Sequence, residues 1–381
     1  MKVEVQNAIL RWARTRAGLS VQVLARSFPR LELWELGKEH PTMRQLEAFA
    51  RKTATPLGYF FLPEPPEDKL PIPDFRTVGD ASLRRPSPNL LETVEIMQRR
   101  QAWLREFLVE QGQERLAFLG SVTVQDAPTA VAAKIKKALA LAPDWAEQHG
   151  SWTAALRTLR RVIEDARIVV VANGVVGNNT SRKLDPAEFR GFVLCDDYAP
   201  LIFVNNADAK GAQMFTLAHE LAHLWLGRPG VFSFTRLQAA DNDVERFCNQ
   251  VAAEFLVPAE AMQASWVKAK VDPEPFQMLA RQFKVSPLVT ARRALDLGLV
   301  GRPEFFAFYD AYLADERRGR ATATGGGDFY ANQDARLGRL FAHSVGVATR
   351  EGRLLYAEAY RLTGLCGKTF DKYIQHLAFP S

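Results

Sequence analysis

The stretch Phe215 to Gly227, FTLAHELAHLWLG, constrains this chain more than any other. It sets His219, Glu220 and His223 in the H-E-x-x-H spacing, inside an apolar run that stops at a glycine. Helical side chains four apart lie about 40° from one another, so both imidazoles project from one face and can close on one metal ion. Glu220 stands roughly 100° round from His219, beside that metal and placed to take a proton from a water. Leu217, Leu221, Leu224 and Trp225 fill the remaining positions, which predicts a buried helix. A buried polar trio is costly unless something satisfies it. Zinc would do so. The competing reading is a pair of hydrogen-bonded core histidines. With six histidines in the whole chain, two at this spacing with an acid after the first favour the metal. The preceding segment, Pro200 to Asn206, reads as a buried strand and a turn that lead into this helix.

Two histidines leave zinc short of its usual three protein ligands. After Gly227, Arg228 to Ala240 reads as a loop without a candidate. Asp241-Asn242-Asp243 then caps a helix that must stop by Pro258. That helix carries Glu245 and Glu254, nine apart and therefore on roughly opposite faces, so only one can reach the metal. Glu245 shares a face with Asn249, Ala252, Ala253 and Leu256, small and apolar enough to pack closely on the first helix. Glu245 is the preferred third ligand, Glu254 the next candidate, and Asp241 or Asp243 follow. Asn249 and Tyr198 are candidates for supporting the site.

The 381 residues suggest two or three domains with ample core. Hydrophobic and charged contents of 47% and 24% are those of an ordinary globular protein. No apolar run approaches a membrane span, and the N-terminus lacks a signal-peptide core, so a cytoplasmic location is expected. Cys195, Cys248 and Cys366 are odd in number and far apart, which argues against a disulfide framework and a thiolate zinc site. A net charge of +6 is compatible with nucleic acid without requiring it. The expected layout is a helical head at 1–62, a Pro-rich linker at 63–86, a helical scaffold at 87–166 and a catalytic core at 167–262. A helix-turn-helix-like pair at 263–301 follows, then a helical C-terminal subdomain at 302–381 with a Gly-rich loop. In the core, RIVVVAN, FRGFVLCD and APLIFVNN read as three strands feeding the metal helix.

The head has the helix, tight turn, helix order of a DNA-binding motif. Its run AGLSVQVLARSF, followed by Trp34, Glu35, Gly37 and Pro41, resembles the Cro/repressor-like (XRE) family. The recognition helix that this resemblance implies is short and offers Arg30, Glu32 and Glu35. Two carboxylates facing phosphates oppose binding. Base readout would fall to Arg30, Lys38 and Arg44. DNA is one expected partner of the head; protein interaction or homodimerisation is the other.

The metal helix followed by Glu-x-x-x-Asn-x-x-Ala-Ala-x-x-Leu-x-Pro from Glu245 to Pro258 resembles the ImmA/IrrE family of zinc metallopeptidases. The resemblance covers about residues 167 to 300. It implies one zinc ion per chain held by His219, His223 and Glu245, with Glu220 as the catalytic base. It also implies a protein substrate of the Cro/repressor type whose cleavage relieves transcriptional control. The expected fold class is thus α+β and mostly helical, with a helix-turn-helix head, a small three-stranded zincin-like (gluzincin) core and a helical C-terminal subdomain. The rival reading is a DNA-binding regulator or antitoxin-like protein whose zinc core is structural or sensory. The intact Glu220 favours the peptidase, because a structural site has no need of a base.

Overall fold

The computed structural model describes residues 2–67, 70, 86–232, 243–314 and 328–378. They fall into two compact units, divided within one long helix at Glu95 and Ile96. The first unit holds α1 (Asn7–Arg16), α2 (Val21–Ala25), α3 (Leu31–Glu35) and α4 (Met43–Lys52). Ser20 caps α2, and Thr42 with Gln45 forms a capping box on α4. Ile9, Leu24, Leu31, Trp34, Leu46, Phe49 and Phe60 form its core. Gly37 turns the chain after α3 at a φ of 72°, where a side chain would be strained. Glu35 corrects the sequence reading: it does not face outward but is buried, and Arg14 grips both its oxygens at 2.6 and 3.0 Å. Arg30 is spoken for as well, donating to both oxygens of Glu39 at 2.7 and 2.8 Å. Lys38 and Arg44 are exposed.

The second unit continues α5 (Pro88–Glu110) and adds α6 (Pro128–Ala138) and α7 (Trp152–Asp165). Then come β1 (Val169–Asn173), a short hairpin of β2 (Val175–Val176) and β3 (Asn179–Lys183), β4 (Gly191–Leu194) and β5 (Leu201–Asn205). After α8 (Lys210–Leu226), β6 (Gly230–Phe232) joins the sheet, whose order is β1-β5-β4-β6. β1 runs parallel to β5, while β4 is antiparallel to both β5 and β6. The sheet therefore has a fourth strand where the sequence reading put the start of a loop. Three residues are too few to show a two-residue period. Along the strands, Val170, Ala172, Val193, Ile202 and Val204 alternate toward the cluster that contains Leu217 and Leu221 of α8. On the other set of positions Phe192 stacks on Phe203 at 4.9 Å.

Past α8 the chain forms α9 (Asp243–Leu256), α10 (Ala259–Ala269), α11 (Pro275–Phe283), α12 (Pro287–Asp296) and α13 (Arg302–Ala314). α14 (Phe329–Leu337), α15 (Arg339–Arg350), α16 (Tyr356–Thr363) and α17 (Gly367–Ala378) complete it. α14 and α15 pack on β1. Buried Arg100 of α5 ties this last group down by donating to the carbonyls of Leu362 and Arg336 at 2.9 and 2.8 Å. Most of the Pro-rich linker, and the Gly-rich loop, lie outside the described residues. Among those described, no helix is long and apolar enough to cross a membrane.

α8 stops where it does because Gly227 adopts a left-handed φ of 67°. Its amide returns to the α8 carbonyls, and a Cβ here would sit 3.0 Å from the Gly120 backbone. Gly227→Ala should therefore lower the stability of the second unit by about 1–3 kcal/mol, from left-handed strain plus the backbone clash. Urea unfolding followed by far-ultraviolet circular dichroism measures this loss.

Candidate metal centre

Two helices build the site. α8 is buried along almost its whole length, and His219, Glu220 and His223 lie at 0–1% exposure within it. Its first turn has no side-chain cap. Instead Gln213 reaches back to the carbonyls of Asp208 and Asn206 at 2.7 and 3.2 Å, which fixes the turn between β5 and α8. α9 packs along α8 through Cys248, Val251, Ala252 and Phe255, and this contact carries Glu245 into the interior.

The three side chains meet through their tips. His219 Nε2 and His223 Nε2 are 3.1 Å apart. Glu245 Oε2 lies 3.2 Å from the first nitrogen, and its Oε1 lies 3.0 Å from the second. Around one tetrahedral zinc with bonds near 2.0–2.1 Å, ligand atoms sit about 3.3 Å apart. Each imidazole faces a different oxygen of the carboxylate at close to that spacing, and the donor types are those of a metal site. Among the described residues this trio is the group of histidine and acidic side chains that could hold a metal. His219 Nδ1 lies 3.0 Å from Asn249 Oδ1. An amide oxygen only accepts, so Nδ1 carries a proton, and the ring is turned with Nε2 toward His223 and Glu245.

Charges follow from this packing. Burial opposes the ionised form of Glu245, but the charges and hydrogen bonds of His219 and His223 outweigh it and hold the carboxyl down at about 2. Burial lowers the pKa of His219, with Glu245 pulling the other way. Glu220 has no such partner. Neither of its oxygens is hydrogen-bonded, and burial, then the charge of Glu245, pushes its pKa well above the usual carboxylate range. Burial and the neighbouring Glu220 charge also push the Cys195 thiol up to about 12. Burial raises Cys248 too, and neither thiol belongs to the group that could hold a metal.

The other sequence candidates lie elsewhere. Glu254 pairs with Arg293 and accepts from the Ala259 amide. Asp243 sits exposed at the start of α9 against Arg246 at 3.1 Å, and Asp241 is outside the described residues. Tyr198 accepts from Arg115 at 3.3 Å and lies under the guanidinium of Arg105. Gly191 escaped the sequence reading. A Cβ there would meet Thr216 at 2.5 Å, the Phe203 carbonyl at 2.8 Å and Glu220 Oε1 at 3.2 Å. Only glycine lets β4 come this close to α8 beside the free carboxyl. The signal was available, since a lone glycine inside a strand often marks close backbone approach. Asn249→Ala should weaken metal binding by about 10–100-fold through loss of ring orientation at His219, measured by competition with a chromophoric chelator.

Comparison with known proteins bears on the same segment. No curated protein matches the chain. Residues 337–376 match the model of a domain of unknown function, DUF8813, which covers most of α15 to α17. Residues 163–295, from the end of α7 to the end of α12, match the model of the IrrE N-terminal-like domain, a peptidase family, which supports a metallopeptidase and implies a bound metal.

Proposed function

We propose that this chain is a zinc endopeptidase that cuts a regulatory protein, with a Cro/repressor-type regulator as the expected substrate and release of transcription as the outcome. The observation that carries the reading is the pairing of a ligand triangle with an unbonded buried acid. The Nε2 atoms of His219 and His223 lie 3.1 Å apart and 3.0–3.2 Å from one or other oxygen of Glu245, and Glu220 stands next to them with both oxygens unused. A purely structural site gains nothing from that carboxyl, which is costly to bury. A hydrolytic site needs it.

A zinc ion bound here supplies Lewis-acid polarisation of a carbonyl, lowers the pKa of water, and adds positive charge that favours ionised Glu220. The residues of this chain do the rest. His219 and His223 present Nε2, with the ring of His219 set by Asn249. Glu245 balances charge and is already ionised. Glu220 takes the proton of the attacking water and hands it to the leaving amine nitrogen. It breaks no hydrogen bond in doing so. The apolar wall of α8 and β4 keeps bulk water from the carboxyl.

For the head we propose protein recognition in preference to DNA. Of its three basic candidates, Arg30 is neutralised by Glu39, and the remaining pair gives little phosphate contact.

Glu220→Gln should retain one zinc per chain and lose about 10²–10⁴-fold in cleavage of a co-expressed repressor, followed by fragment mass spectrometry. Glu245→Ala should lose the metal itself, seen by elemental analysis. Full cleavage by zinc-loaded Glu220→Gln would remove Glu220 from the mechanism.

A further inference from the structure

A cleft of about 610 Å³ opens beside the metal centre, bounded by α6, α8, α9, α12 and the start of β4. Two of its lining residues tie it to the site. Asn249 orients His219, and the ring of Phe215 lies 6.5 Å from that of His219. Its floor is apolar, with Ala212, Phe215, Leu288 and Val289. The volume exceeds any single side chain and suits an extended peptide with one large residue turned inward.

Its charges are arranged unequally. Arg293 is bound to Glu254, Arg292 to Asp296 at 2.9 Å and Arg246 to Asp243 at 3.1 Å. Arg190 differs. It too is ion-paired, with Nε 3.4 Å from Asp208, but that buried nitrogen makes no hydrogen bond and about a third of the side chain is open. It immediately precedes Gly191, the residue that abuts Glu220. Its guanidinium therefore lines the apolar cleft in the longest of these four ion pairs, next in the chain to the glycine beside Glu220.

We infer that this cleft is a substrate subsite that selects a peptide segment with a large apolar side chain next to an acidic one, and that Arg190 reads the acid. This inference rests on the peptidase reading and names its substrate class. A carboxylate docked on Arg190 gains bidentate hydrogen bonds that a neutral or basic residue lacks. A basic residue meets repulsion from the Arg190 guanidinium.

The test uses full-length, zinc-loaded protein with the Glu220→Gln change, so that binding is read without turnover. The probes are two fluorescein-labelled decapeptides, one with a central leucine flanked by aspartates and one with lysines in their place. Fluorescence anisotropy should show the aspartate peptide binding about 10-fold tighter, and Arg190→Glu should reverse the order while zinc content stays at one per chain. Equal binding of the two peptides, or an order unchanged by Arg190→Glu, overturns the subsite. Cleavage is scored separately with Glu220 restored. Discrimination without cleavage leaves the subsite standing and sinks the peptidase, whereas cleavage without discrimination does the reverse.

Discussion

Everything in this site depends on two imidazole nitrogens and one carboxylate forced into a triangle of 3.0–3.2 Å inside a helix-helix contact. Burying a carboxylate and two basic rings so near together is unfavourable unless a charge or proton is shared among them. Here the arrangement is over-determined. Leu217, Leu221 and Trp225 fix α8 against the sheet, Val251 and Phe255 fix α9 against α8, and Asn249 fixes the ring of His219. The cluster is a product of the packing around it, and its three side chains form a group that could hold a metal ion.

The same packing separates the roles of two glutamates. Glu245 is drawn into the triangle, and its neighbours hold it ionised. Glu220, one residue along α8 from His219, is buried without a hydrogen bond and faces the charge of Glu245, so its carboxyl resists ionisation. Their surroundings thus divide two acids of one buried site between holding charge and resisting it. The backbone of β4 could not come so close to Glu220 with any other residue at position 191. Arg190, which lines the cleft, is the residue before this glycine, so the proposed recognition and the proposed chemistry share one segment of chain.

How much of this could be read from the chain alone varied with the range of the interaction. The helix carrying His219, Glu220 and His223 was legible because a local period fixes its face and Gly227 marks its end. Choosing Glu245 over Glu254 also rested on a local argument, the face each shares along one helix, and the structure sets Glu245 beside both imidazoles and Glu254 against Arg293. β6 was not legible, since three residues paired to β4 across the whole of α8 leave no periodic trace. Glu35 was misread as an exposed repellent because its partner Arg14 is 21 residues away, beyond what spacing reveals. Gly191 was visible as a glycine, but the reason for it, Glu220 pressing from another element, exists only in three dimensions.

The most direct test of the centre is zinc K-edge X-ray absorption on the protein as purified, with metal content measured in parallel. The expected result is one zinc per chain with only nitrogen and oxygen neighbours near 2.0–2.1 Å, two of them imidazole, and loss of that signature in His223→Ala. A chain that retains no zinc when it is supplied, or one whose zinc has sulfur neighbours at about 2.3 Å, would contradict the account.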